Sequence, residues 1–235
     1  MCCLLSFVKK MSFSLIKDGF EIHRGVCEGA LLEALRDEAD SVAALAGSAC
    51  VRHLRSRSTV FRELAIAGSV YAFLPRDVKP VRSILFDKTS AENWPVAWHQ
   101  DLTICVTEEN VIDGYGPWSH KDGVPHVQPP IELLRNMITF RLHLDDTPES
   151  NGALRVIPGS HEWGRISTES LADLDKEDAV TCECNAGDVV LMSPLILHSS
   201  RRSVAPARRR VIHYEYARIY DLHPRLHWFE EADAG

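Results

Sequence analysis

A histidine two residues before an aspartate, with a second histidine far downstream, can build a metal centre. This chain of 235 residues carries Trp98-His99-Gln100-Asp101, then His198, then Arg209. Two imidazoles and one carboxylate can hold Fe(II) on one face and leave the opposite face open for chemistry. A single arginine soon after the distal histidine suits the far carboxylate of a dicarboxylic cosubstrate. Taken together, the four residues point to an iron-dependent oxygenase.

The His-x-acid spacing is weak by itself. With 11 histidines and 33 acidic residues in the chain, one or two such pairs arise by chance, and there are four: His99/Asp101, His120/Asp122, His143/Asp145 and His213/Glu215. Context chooses among them. His120/Asp122 lies in a Gly- and Pro-rich stretch, and rigid elements hold a metal better than loops do. His143/Asp145 runs into Asp145-Asp146-Thr147-Pro148, where Asp145 suits the turn. His213/Glu215 leaves no second histidine at a natural distance. His99 and Asp101 sit inside Val96–Ile104, where residues two apart on one strand share a face. His198 follows the apolar run 189–197. For His198 a buried core histidine is the competing reading. For Arg209 it is a solvated basic face with Arg201, Arg202, Arg208 and Arg210. Strand alternation separates Arg209, Val211 and His213 from Arg208, Arg210, Ile212 and Tyr214, and only one set can face inward.

The elements that must position these residues change character along the chain. Apolar residues at Leu31, Leu35, Val42 and Leu45 predict a helix from Ala30 to Ala46, stopped by Gly47. A second helix is expected from Val60 to Leu74, ending before Pro75. After Pro80, short runs rich in β-branched and aromatic residues predict strands at 81–86, 96–106, 137–144, 153–157, 180–184, 189–193 and 209–219. Turn signals at Asn151-Gly152, Pro158-Gly159 and Asn185-Ala186-Gly187-Asp188 separate several of them. Helices followed by many strands read as a mainly β sandwich or barrel with helical buttressing. Residues 11–235 are expected to form a single domain, helical over about 28–75 and β over about 81–220. Residues 1–10 read as a poorly ordered extension, with Met11 an alternative start. The long Gly/Pro-rich stretch 107–130 is expected to be a lid over the metal.

Composition narrows the setting. Hydrophobic residues make up 45% of the chain, which is enough for a core and too dispersed for a membrane span. The apolar start Met1–Val8 is too short to span, and its positive charges follow it, the wrong order for a signal peptide. A net charge of −7 disfavours nucleic acid as a partner. Seven irregularly spaced cysteines read as reduced thiols in a cytoplasmic protein. Cys182-x-Cys184 lacks the second pair a zinc site needs and reads as strand side chains. Nothing in the sequence sets an oligomeric state.

The run Trp98-His99-Gln100-Asp101, then 151–161 (Asn-Gly-Ala-Leu-Arg-Val-Ile-Pro-Gly-Ser-His), then His198-Ser199-Ser200 and Arg209 resembles the phytanoyl-CoA dioxygenase family, over about residues 81–217. That resemblance implies a double-stranded β-helix, a jelly roll of the cupin kind, with flanking N-terminal helices. It implies an Fe(II)- and 2-oxoglutarate-dependent dioxygenase that uses O2 to hydroxylate a small-molecule substrate, releasing succinate and CO2. His99, Asp101 and His198 would bind iron. Arg209 would pair with the distal carboxylate of 2-oxoglutarate through its planar fork, and Ser200 would hydrogen-bond it. Related halogenases lack the carboxylate, so Asp101 favours hydroxylation. Many relatives carry an asparagine after the distal histidine, where this chain has Arg201-Arg202-Ser203.

Pocket residues follow less directly. Thr139, Arg141 and His143 alternate with apolar neighbours and would touch cosubstrate or substrate if that row faces inward; the reverse orientation stays open. Lys88 and Asn93 lead into the metal strand and could reach the mouth. Two other classes compete. One is a cupin-type metal enzyme that does not use 2-oxoglutarate, which would not need Arg209. The other is a non-catalytic binding module on the same barrel.

Overall fold

The structure is a computed structural model describing residues 13–204 and 207–232. The expected extension over residues 1–10, the start at Met11, and Cys2 and Cys3 lie outside the described residues. Among the described residues thirteen strands run in chain order: β1 (Phe20–His23), β2 (Cys50–Arg52), β3 (Val78–Lys88), β4 (Val96–His99), β5 (Ile104–Cys105), β6 (Trp118–Lys121), β7 (Val124–Val127), β8 (Ile138–His143), β9 (Leu154–Val156), β10 (Val180–Cys182), β11 (Val189–Met192), β12 (His198–Ser200) and β13 (Arg209–Arg218). They form a six-stranded sheet in the order β1-β11-β8-β13-β3-β2, a four-stranded sheet β10-β9-β12-β4 and a three-stranded sheet β5-β7-β6. Their pairings are antiparallel. The first two sheets face each other as the expected jelly roll, with helices outside.

Alternation along the strands creates the two faces. Leu85, Phe140, Leu142, Leu191, Ile212 and Tyr214 point outward and pack under the helices. Phe20, Val190 and Met192 point inward against Leu154, Val156 and Cys182 of the smaller sheet. The helix Gly29–Ala46 ends on left-handed Gly47, as expected. Its buried stripe is Leu32, Leu35, Ala39 and Val42; Leu31 and Leu45 are exposed. Each large side chain of that stripe contributes roughly 1.5–3 kcal/mol on burial, which outweighs helix propensity in holding the helix down.

The single helix expected from Val60 to Leu74 is instead two short ones, Thr59–Ala65 and Gly68–Tyr71, and a third, Leu54–Arg57, precedes them. Ser58 restarts the chain by accepting a hydrogen bond from the Phe61 amide. The Phe61 and Ala65 carbonyls then accept from the hydroxyls of Tyr214 and Tyr216, each at 2.8 Å. Anchorage to β13 therefore shapes this segment more than its own periodicity does. Another long-range clamp lies near the C-terminus, where the buried Glu230 carboxylate accepts from the amide and hydroxyl of Ser83 on β3, both at 2.7 Å.

The stretch 107–130 holds the hairpin β6–β7. Its turn is Asp122-Gly123, both residues left-handed at φ 52° and 79°, as a tight hairpin turn requires. Val106, Ile112 and Val127 pack with Trp228 and Leu134. At Gly187 (φ 86°), a Cβ would fall 1.9 Å from the Cys27 carbonyl oxygen, so the turn before β11 admits only glycine.

Candidate metal centre and cosubstrate pocket

His198 on β12 lies directly across from His99 on β4, with ring centroids 4.1 Å apart. Asp101 does not share the strand with His99, contrary to expectation. β4 ends at His99 and β5 begins at Ile104, because Gln100 turns away to clamp the surrounding loops. Its amide donates to the Gly164 and Leu195 carbonyls and accepts from the Ile166 amide. Asp101 is held instead by its own N–H, which donates to the Pro194 carbonyl at 2.9 Å. That bond ties it to the segment leading into His198. The three ligand atoms all lie within 4.8 Å of one another, and no other such group occurs among the described residues.

The hydrogen bonds behind the rings fix which nitrogen faces the centre. His99 Nδ1 lies 2.8 Å from the Ala97 carbonyl, and His198 Nδ1 lies 2.9 Å from that of Ile196. A carbonyl only accepts, so each Nδ1 carries its hydrogen and each Nε2 of a neutral ring turns a lone pair inward. Both Nε2 atoms sit 3.5 Å from Asp101, one from each carboxylate oxygen. Burial would raise Asp101, but His198 and His99 hold it well below the usual carboxylate range. Burial pushes His198 down to about 4. Burial also lowers His99, but its bond and charge contact with Asp101 more than offset this and raise it. Two inward lone pairs around a carboxylate need a cation between them, and a divalent metal fits that donor set.

Arg209, Val211, His213 and Glu215 all line a cavity of about 200 Å³ beside this centre. The register sorts the inner face of the large sheet into cross-strand rows. Lys88 pairs with Arg209, and Phe86 with Val211 and His143. Ile84 and Arg141 flank His213, and Arg82 and Thr139 flank Glu215. The arginine cluster thus divides by strand alternation. Arg208 pairs outside with Asp40 and Asp87, and Arg210 with Asp40 and Asp145. Arg209 faces in, and its guanidinium has no hydrogen bond or ion pair among the described residues, although the residue is only 8% exposed. Burial and the nearby Arg141 lower it to about 10, so it stays charged at neutral pH. Gly152, at φ 71°, lies under it; a Cβ there would fall 2.5 Å from the Arg201 carbonyl oxygen and 3.2 Å from Arg209 Nη1.

Lys88 Nζ donates to the Trp94 carbonyl at 2.7 Å and lies 3.5 Å from Ser200 Oγ. Burial, then Arg209 and Arg141, lower it to about 7. Arg209, Lys88 and Ser200 therefore form a basic end to the cavity, without a carboxylate of their own. Past the metal ligands, Arg141 Nη1 donates to His213 Nδ1 at 2.9 Å. His213 Nε2 then donates to Glu215 at 3.2 Å, and Arg82 Nη1 donates to the same oxygen at 3.0 Å. This relay fixes the His213 tautomer and aims Arg141.

The expected pocket residues divide. Lys88, Arg141 and Ser200 line the cavity; Thr139 and Asn93 do not. Thr139 is fully buried behind Glu215. Asn93 is spent on a two-way amide clamp to Ser203, at 2.9 Å in each direction. The expected lid is also corrected: among the described residues, no lining residue comes from 107–130. That segment is occupied in its own sheet, and its turn meets the rim at Asp122, 2.8 Å from Arg52. Phe86, Arg82, Arg52 and Glu215 were missed. Extending the Arg209 alternation two residues past His213 would have found Glu215. Arg52 lies on a three-residue strand that carried no periodic signal.

The sequence profile of phytanoyl-CoA dioxygenase (PhyH) matches residues 17–211, well over half of the chain. The chain belongs to the phytanoyl-CoA dioxygenase family. Curated relatives align over shorter stretches. An iron/alpha-ketoglutarate-dependent dioxygenase, ausO, from Aspergillus calidoustus is 34% identical over 73 residues, 30% of this chain and 24% of that protein. The dioxygenase FUM3 of Gibberella moniliformis is 35% identical over 65 residues, 28% and 20% of the two chains. The matches thus span about a quarter or less of these relatives' length. Among solved structures, EctD from S. alaskensis, with 2-oxoglutarate and 5-hydroxyectoine, superposes with a TM-score of 0.68. It is 19% identical, over 88% of this chain and 74% of that one. HygX from Streptomyces hygroscopicus, with nickel and 2-oxoglutarate bound, gives 0.63 at 17% identity over 86% and 83%. These two likenesses show that this member of the family shares their fold. No helix among its described residues is long and apolar enough to cross a membrane.

Proposed function

We propose that this chain is an Fe(II)- and 2-oxoglutarate-dependent dioxygenase that hydroxylates a small-molecule substrate. One observation carries the reading. A buried, unpartnered guanidinium, Arg209, shares a single cavity with two imidazoles whose inward nitrogens converge on one carboxylate. His99, Asp101 and His198 would hold the iron. Arg209, with Lys88 and Ser200, would hold the far carboxylate of 2-oxoglutarate by paired charge-assisted bonds. Iron, when bound, supplies the oxygen chemistry by which 2-oxoglutarate, O2 and a substrate C–H become succinate, CO2 and an alcohol. The chain's own residues set ligand geometry, anchor the cosubstrate at its far end and shield the centre. His198 is buried on the closed side, whereas His99 is 38% exposed on the side left for substrate. Five free cysteines among the described residues suit a reducing compartment, and we place the protein in the cytoplasm, without a membrane or nucleic-acid partner.

The test is a metabolite extract incubated with purified protein, Fe(II), 2-oxoglutarate and 18O2. The expected result is succinate formed together with a product one labelled oxygen heavier. Product formed without 2-oxoglutarate would favour a cupin-type enzyme of another mechanism. Metal and 2-oxoglutarate binding with no oxygen consumed would favour a binding module.

Cosubstrate affinity should also depend on pH. Lys88, lowered to about 7, is cationic below that pH and neutral above it. A dianion favours the cation, so affinity is expected to be highest below pH 7 and to weaken as pH rises through that value. Calorimetric titrations of 2-oxoglutarate from pH 6 to 9 read this directly. Lys88→Met should bind more weakly at pH 6 and lose the slope, and a slope unchanged in that variant would exclude Lys88 from the site.

A further inference from the structure

The opposite end of the cavity carries a charge that neither metal nor cosubstrate uses. Five cationic side chains line the cavity, Arg52, Arg82, Lys88, Arg141 and Arg209, against two carboxylates, Asp101 and Glu215. Under the function proposed above, Lys88 and Arg209 serve one carboxylate of 2-oxoglutarate, and Asp101 serves the metal. Arg82 is neutralised by Glu215, and Arg141, held by a neutral His213 near the metal ligands, keeps its charge and a buried Nε without a partner. At the opposite edge of the cavity stands Arg52. It stands on β2, the last strand of the large sheet, across from Ile84. Ile84 is in turn the neighbour of His213, so Arg52 lies in the cross-strand row that ends at Arg141. Its Nε is buried and has no hydrogen-bond partner. Its Nη1 meets Asp122 of the hairpin turn at 2.8 Å, but that carboxylate is 62% exposed and lies outside the cavity.

We propose that the substrate carries a carboxylate that docks on Arg52 at the open edge of the cavity. The inference rests on the proposed function and specifies the substrate class for that site. An exposed ion pair such as Arg52–Asp122 is weak, whereas a buried N–H without a partner is costly. A carboxylate arriving from the cavity side would meet Nη2, the prong that Asp122 leaves free, and a small turn of the guanidinium would bring Nε to it as well, the two-pronged geometry an arginine prefers. It would also offset the excess positive charge. The substrate is thereby held at its acidic end by the edge strand, with the rest of the molecule running past Ile84 and Phe86 toward the open side of the metal centre.

The experiment uses the full chain loaded with Mn(II) and saturated with 2-oxoglutarate, so that the Arg209 end is filled. Two matched probes, 4-fluorophenylacetate and 4-fluorophenylacetamide, are titrated while paramagnetic broadening of their fluorine signals is followed. The acid is expected to broaden at concentrations at least tenfold below the amide. Arg52→Gln should abolish that preference, and Asp122→Asn, which frees the guanidinium, should strengthen it. If R52Q does not fold, D122N carries the test on the native arginine. Equal broadening by both probes, no broadening by either, a preference that survives in R52Q, or a D122N variant that binds the acid no better would overturn the assignment. Calorimetry on the same samples separates the two readings. Failure of Mn(II) or 2-oxoglutarate to bind the native protein defeats the proposed function itself. Tight binding of both without an acid preference defeats only the role of Arg52.

Discussion

Asp101→Ala is expected to abolish succinate formation and to weaken Mn(II) binding by more than about 100-fold. Asp101 is the one carboxylate of the ligand set. Even groups one layer behind a metal ligand are worth about 10- to 100-fold in affinity, so loss of a direct ligand exceeds that range. The substitution also leaves His99 and His198 facing each other with no anion between them. Calorimetric titration of Mn(II), paired with a succinate assay in Fe(II), checks both parts. Because Asp101 lies beyond β4 and is held by a backbone bond to Pro194, the alanine variant should keep its fold. Native activity in that variant would mean that the centre lies at another of the four His-x-acid pairs.

Arg209→Ala is expected to raise the dissociation constant for 2-oxoglutarate while leaving metal affinity unchanged. Removing one partner of a buried, hydrogen-bonded charge pair costs about 2–5 kcal/mol, or roughly 30- to several thousand-fold at 1.4 kcal/mol per decade. Arg209→Lys should fall between, since it keeps the charge and loses the fork. A second readout separates an anion site from a structural arginine. Without cosubstrate, Arg209 is a buried charge with no partner among the described residues, and such a charge opposes folding. The alanine variant should therefore melt no lower than the native protein when both lack ligand, and should gain less when 2-oxoglutarate is added. A large drop in the unliganded melting temperature would make Arg209 a scaffold residue.

Much of this arrangement was legible because strands are periodic. The alternation at 209–214 divided the arginines into two sets without coordinates, leaving only which set faces inward to the structure, and Asn151-Gly152 marked a turn that lies against Arg209. The failures came where tertiary bonds override local pattern. Gln100 ends β4 by clamping carbonyls from 64 and 95 residues away, which no two-residue rule anticipates. The stretch from Val60 to Leu74 is broken by tyrosines about 150 residues distant. Asp122-Gly123 was a readable hairpin signal, obscured by the glycines and prolines around it. Asn93 was placed near the correct region, but its amide faces Ser203. Sequence distance to a site says little about side-chain direction inside a loop.

The basic row formed by Lys88 and Arg209 has a consequence for the protein's lifetime. Without a dianion, Arg209 is a buried charge with no partner among the described residues, and Lys88 beside it adds a second charge as pH falls below about 7, so the native state carries that cost. A ligand that binds only the folded form, present at 100 times its dissociation constant, adds about 2.7 kcal/mol to folding stability. Differences of that size change the standing amount of a protein in a cell severalfold. Under the proposed function, a cell depleted of the dicarboxylate would lose this protein to proteolysis as well as losing its turnover.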